Sequence, residues 1–204
     1  MSTINREQWL TLATSHLRAH FLAEAALTVP QNVRVSCGFP SKSALGTKSR
    51  RVGECWGDEA SATKTFEVFV SPLLDDARAV AHTLAHELVH ATVGIRAKHG
   101  AAFKRVALAI GLTGKMTATV PGPKFDAWWN TVGATLPPYP HGALSAMSRD
   151  KQKTRLVKVE CGECAAEGEP YLVRMSAKTL ERGAPHCPIH LRAMSQALPN
   201  GEGN

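Results

Sequence analysis

The stretch Asp75-Asp76-Ala77-Arg78-Ala79-Val80-Ala81-His82-Thr83-Leu84-Ala85-His86-Glu87-Leu88-Val89-His90-Ala91-Thr92-Val93-Gly94 decides how the rest of the chain is read. Ser71-Pro72 and Asp75-Asp76 are helix-start signals, and Gly94 suits the position just past a helix end. Val80, Leu84 and Leu88 recur at helical spacing and form an apolar stripe that anchors the helix in a core. His86 and His90 stand four apart, so both imidazoles lie on one face, roughly opposite that stripe. Two such imidazoles can grip one zinc ion at about 2.0–2.1 Å. Glu87 lies about 100° round the axis. Its carboxylate therefore reaches a water at the metal rather than the metal itself, the arrangement of a general base in peptide hydrolysis. His82 with His86 repeats the spacing but lacks the glutamate, so His82 reads as a supporting or packing residue.

A catalytic zinc needs three protein ligands and one open position. The metzincin spacing is excluded, because Val93 and Arg96 occupy the positions where it needs glycine and histidine. His99 follows the Gly94 turn, and a short loop there can fold back and carry it to the metal. Alone it would read as a surface histidine; beside His86-Glu87-x-x-His90 it becomes the candidate third ligand.

Working outward, residues 5–26 read as a helix opened by an Asn5/Gln8 capping box, with Trp9, Leu10, Leu12, Leu17 and Phe21 mostly at helical spacing. Short strands are expected over 32–37, 51–56 and 65–71, the last rich in aromatic and β-branched residues. Further helices are expected over 101–110 and 125–131. These elements predict an α+β domain, a small antiparallel sheet packed on the histidine helix and its neighbours. Residues 1–132 form this domain. Residues 133–154, proline-rich and then basic, read as a linker. Residues 155–192 form a small second module, and 193–204 read as a disordered tail.

Cys161-x₂-Cys164 and Cys187-x₂-His190 make two ligand pairs in that module. Thiolates and imidazole suit a closed tetrahedral zinc, which is structural. A module of roughly forty residues cannot stabilise itself by burial alone, so metal would supply much of its folding energy. His186 is the alternative fourth ligand. Cys37 and Cys55 read as small core residues, with a bridge between them as the alternative.

Net charge is +7 and the pI about 9.4, a balance that favours anionic partners, nucleic acid first. Lys42, Lys48, Arg50 and Arg51 crowd one loop. Lys151, Lys153, Arg155 and Lys158 crowd the entry to the small module and are the candidate DNA contacts, through the phosphate backbone rather than the bases. Tyr171, the one aromatic of that module, does not make a stacking platform. No apolar run reaches the roughly 18–20 residues of a membrane span. The N-terminus has no basic region followed by an apolar stretch, so a cytoplasmic protein is expected.

His86-Glu87-Leu88-Val89-His90 followed by His99-Gly100-Ala101-Ala102-Phe103-Lys104 resembles the SprT-like zinc metallopeptidases, which include the Spartan proteases and pair HExxH with a third histidine in HGxxF. Gly53-Glu54-Cys55-Trp56 and Phe66-Glu67-Val68-Phe69-Val70-Ser71-Pro72 resemble that family's strand region. The likeness spans roughly residues 5–115. It is closest to phage and bacterial members, which also carry a stretch similar to Gly111–Val120. The resemblance implies a zincin-like domain, His86, His90 and His99 as ligands of a catalytic zinc, and Glu87 as catalytic. It further implies substrates that are proteins crosslinked to DNA, hence a role in DNA repair, and a bacterial or phage-infected cell as the setting. Zinc ribbons are common C-terminal companions in the family. This one departs from the four-cysteine form, with His190 in place of the last cysteine and Ala165 where glycine usually follows the first pair.

The reading is therefore a DNA-associated zinc metalloendopeptidase with one catalytic and one structural zinc. A non-enzymatic zinc-containing protein that binds nucleic acid or serves transcription is the alternative, and a general peptidase with no DNA role a third. The intact Glu87 argues for an enzyme, because a structural site does not need it.

Overall fold

The computed structural model describes residues 4–46, 50–145 and 156–197. The chain is α+β and divides into two compact units, residues 1–148 and 149–204.

In the first unit, α1 (Arg6–Ala25) opens with the Asn5/Gln8 capping box and buries Trp9, Leu10, Ala13, Leu17 and Phe21. Three short strands follow: β1 (Val33–Cys37), β2 (Gly53–Trp56) and β3 (Phe66–Val70). They lie in the order β1-β3-β2. The sheet is mixed, which corrects the expected antiparallel one: β2 runs antiparallel to β3, but β1 runs parallel to it. The physical reason is the connection. Residues 38–52 are long enough to carry the chain past β3 to the far edge, and a hydrophobic alternation is the same whichever way a strand runs.

Val35, Val68 and Val70 point inward to the core, with Cys37 and Cys55 half-buried beside them as free thiols. Helix α2 (Ala77–Val93) packs on that inner face. Asp76 caps it through a 2.7 Å bond from the Ala79 N–H, and Val80, Leu84 and Leu88 are fully buried. Gly94, at φ 82°, ends it in a conformation that other residues rarely adopt. Helix α3 (Ala101–Ala109), a hairpin of β4 (Leu112–Lys115) and β5 (Ala118–Pro121), and α4 (Pro123–Val132) complete the unit.

The proline-rich stretch begins packed rather than free. Trp9 Nε1 donates to the Pro137 carbonyl at 2.8 Å, and Tyr139 packs edge-on against Trp9 with ring centres 4.9 Å apart. His141 Nε2 lies 2.7 Å from the Pro72 carbonyl. Proline had marked this segment as linker, yet prolines break secondary structure without preventing their neighbours from docking.

The second unit is a sheet ordered β7-β6-β8, formed by β6 (Leu156–Glu160), β7 (Leu172–Ser176) and β8 (Ser195–Gln196). Two short helices, α5 (Gly162–Ala166) and α6 (Ala177–Arg182), accompany it. Residues 195–196 pair with β6 and Met194 is buried, so the tail expected to begin at 193 is ordered through residue 197. Among the described residues no helix is long and apolar enough to cross a membrane.

Candidate metal centres

The end of α2 and the loop after it bring three imidazoles together. A tight turn over Ile95–Ala97 reverses the chain, and Lys98 takes a left-handed φ of 47° immediately before His99. His99 Nε2 then lies 3.3 Å from His86 Nε2 and 3.2 Å from His90 Nε2. Tetrahedral zinc with bonds of about 2.05 Å spaces its nitrogens by about 3.3 Å, so the donor set matches such an ion in both chemistry and spacing. Burial and mutual repulsion push His86 down to about 3 and His90 down to about 4, and burial lowers His99. All three are therefore neutral near pH 7, with lone pairs free for a metal. Phe103, fully buried on the first turns of α3, lies beneath all three rings, with centroid separations of 4.9, 4.5 and 4.9 Å.

Behind His86 stands Thr119 of β5, a residue the sequence reading did not single out. His86 Nδ1 is 2.9 Å from Thr119 Oγ1, which is 3.3 Å from His82 Nε2. A metal held at His86 Nε2 would leave the proton on Nδ1, which would then donate to Thr119, and the Thr119 hydroxyl would be free to donate to His82. Burial holds His82 neutral, pushed down to about 4, so it can accept. His82 is thus a supporting residue acting through Thr119. The alternation of Thr117 and Thr119 was the available signal for β5, but nothing local ties that strand to α2.

Glu87 is 7% exposed and lines the same cleft of about 700 Å³ as the three histidines and strand β2. Burial pushes its carboxyl up to about 8, with Arg51 opposing and Glu54 adding to the rise. A dication on the histidines would act in the same direction as Arg51. Gly53 of β2 is what leaves room for this side chain: a Cβ there would lie 2.4 Å from Glu87 Oε1 and 2.8 Å from Thr83 Cγ2. Gly53→Ala is expected to destabilise the first unit by about 1–3 kcal/mol through overpacking. Chemical denaturation measures this, and an unchanged midpoint would show that Glu87 does not depend on the space. Arg50, Arg51 and Lys98 line the cleft as well.

In the second unit Cys161, Cys164, Cys187 and His190 converge, and their ligand atoms lie within 4.8 Å of one another. Cys164 and Cys187 Sγ are 3.7 Å apart. His190 Nδ1 lies 3.6, 3.3 and 3.9 Å from the sulfurs of Cys161, Cys164 and Cys187. Zinc–sulfur bonds of about 2.3 Å imply sulfur separations of about 3.8 Å and sulfur–nitrogen separations of about 3.6 Å, so this set also fits. Burial works to raise Cys187, but backbone N–H groups of His190 and Ile189 and the His190 ring outweigh it and bring the thiol down to about 6. On its far side His190 Nε2 faces Glu167 Oε1 at 3.3 Å, a carboxylate that orients the ring. Cys161 is the residue that caps the start of α5 and Cys164 sits on its first turn, and the helix continues through Ala165. No left-handed residue is needed there, which accounts for the missing glycine. His186 instead pairs with Ala193 in an isolated bridge.

Of the candidate DNA contacts, Lys158 is exposed on β6, while Lys151, Lys153 and Arg155 lie outside the described residues, as does Lys48. Fold and site together define an α+β chain with, among the described residues, two Cys/His groups that could each hold a metal ion. Comparison with protein-family models, with curated proteins and with solved structures returned no match to this chain.

Proposed function

We propose that this chain is a zinc metalloendopeptidase of the SprT-like type, with a zincin-like first unit and a zinc-ribbon-like second unit. The observation that carries the proposal is the convergence of three neutral imidazoles, with His99 Nε2 3.2–3.3 Å from the Nε2 atoms of His86 and His90, in one cleft with the buried Glu87 side chain. His86, His90 and His99 would hold the catalytic zinc. Zinc bound there supplies a Lewis acid and makes water more acidic. Glu87 takes the proton of the attacking water on its carboxylate and returns it to the departing amine. Arg50, Arg51 and Lys98 place positive charge along the cleft, where negative charge develops on the carbonyl oxygen. The Cys161, Cys164, Cys187 and His190 site would hold a structural zinc.

Association with DNA is the second part of the proposal. The net charge of +7 favours it. Lys158 and Arg174 also stand directly opposite each other across β6 and β7, a like-charge pair that a phosphate would relieve. The expected substrates are DNA-bound or DNA-crosslinked proteins.

The test is hydrolysis of unfolded casein by zinc-loaded protein, with and without DNA and across salt. Turnover raised by DNA and suppressed by salt supports the whole reading. Turnover indifferent to both removes the DNA role, and zinc without turnover in any condition favours the non-enzymatic alternative.

Thr119→Val is expected to weaken zinc binding at the histidine site about 10–100-fold, because His86 loses the partner that fixes its tautomer. Thr119→Ser should restore it. Competition with a chelating dye reads the affinity directly, and equal affinities for the valine and wild-type chains would remove the Thr119 role.

A further inference from the structure

The sheet has a second functional-looking face. On the side away from α2, the register of β2 with β3 sets Glu54 opposite Phe69 and Trp56 opposite Glu67. Carboxylates and aromatic rings thus alternate in a two-by-two floor. Phe39 and Ala60 stand at the walls of an open pocket of about 450 Å³ above it. Phe39 and Trp56 are 47% and 43% exposed, unusual for large aromatic side chains with a core available one strand-face away.

The charge of this pocket runs against the charge of the chain. The protein carries +7, yet the titratable side chains lining the pocket, among the described residues, are Glu54 and Glu67. Glu54 is fixed in place by Ser41 N and Oγ, Arg51 and Trp56 Nε1, at 2.7–3.0 Å. Glu67 pairs through one oxygen with Arg34, whose side chain is 60% exposed. Exposed pairs contribute little, so an incoming cation can compete for Glu67. Ring faces attract cations through their quadrupole. An anion would meet both carboxylates, and a neutral group could not take the place of Arg34 at Glu67, whereas a cation can.

The pocket also has a defined position relative to the cleft. Strand β2 is the edge of its sheet, with its other side paired to no strand among the described residues. Gly53 approaches Glu87 on one face of β2, while Glu54 and Trp56 line the pocket on the other. A polypeptide laid along this edge would turn alternate side chains to the cleft and to the pocket.

We propose that the pocket of Phe39, Trp56, Phe69, Glu54 and Glu67 accepts the cationic side chain, lysine or arginine, of an extended polypeptide paired to β2. The polypeptide is a substrate only on the peptidase reading above; binding of the cation does not depend on it.

The experiment uses the full Glu87→Gln chain, labelled with ¹⁵N, and follows the indole N–H of Trp56, assigned by its loss in Trp56→Phe. The probes are N-acetyl-arginine methylamide, its lysine counterpart, and the neutral isostere built on citrulline. The Trp56 signal should shift and saturate with the arginine and lysine probes and stay in place with citrulline. Glu67→Gln should weaken that binding roughly tenfold, with the signals of Trp9, Trp128 and Trp129 unmoved as proof of an intact fold. No shift with arginine, or an equal shift with citrulline, overturns the proposal. In wild-type protein, peptides that differ only by arginine against citrulline should be cleaved at different kcat/KM, and equal values overturn the link to substrate choice. Cation binding without cleavage of any peptide supports the pocket and tells against the peptidase reading instead.

Discussion

Glu87→Gln is expected to lower peptide hydrolysis about 10²–10⁴-fold while the chain keeps its full zinc content. Glutamine matches glutamate in shape, so it fits the space that Gly53 leaves beneath the side chain. It cannot take a proton, however, and among the described residues no other carboxylate is placed to replace it. Glu54, the next residue along β2 from Gly53, turns its carboxylate to the other face of the strand, where Ser41, Arg51 and Trp56 hold it. The three histidines are untouched, so metal binding should persist. Steady-state rates on casein, with zinc measured on the same samples, separate the two effects. Full activity in the variant would mean that Glu87 is not the base.

The second large effect is expected from stripping metal out of the second unit. Its buried cluster consists of Val159, Cys161, Cys164, Cys187 and Met194. Three of these five would be ligands of the proposed zinc, so without an ion the core would reduce to one valine, one methionine and a few half-buried neighbours. Structural zinc contributes about 10–16 kcal/mol of apparent binding free energy in small modules, comparable to the roughly 5–15 kcal/mol total stability of a whole domain. Cys187→Ala, or a strong chelator, should therefore remove amide-exchange protection from β6 and β7 (residues 156–160 and 172–176). The first unit has a core built around Trp9, Phe21, Leu84, Leu88 and Phe103 and should keep its protection. Retained protection in β6 and β7 after metal removal would show that the unit folds on its side chains alone.

What the sequence made legible follows from the range of the interactions involved. The α2 helix, its Asp76 cap and its buried stripe are local, and they were readable because helix period and capping act over four residues. The Cys/His set was readable because ligand pairs at fixed spacing restrict the chemistry. The direction of β1 was not readable, since alternation fixes a face but not a direction. Thr119 was missed because its partner is 33 residues away and reaches it through a hairpin that carries only a weak strand signal. Gly53 appeared only as part of a motif. Its reason is steric, a carboxylate arriving from another element. Docking of Tyr139 on Trp9 was hidden for the same reason, since prolines advertise a break in secondary structure and say nothing about burial.

The account rests on two metal sites that differ in purpose, and zinc content per chain tests that most directly. It should be measured on wild type, His99→Ala and Cys187→Ala, each purified without chelator. The account predicts two zinc ions in wild type and one in each variant. A single ion, lost with Cys187→Ala and unaffected by His99→Ala, would contradict it, leaving the histidine cleft without a metal and the peptidase reading without its chemistry.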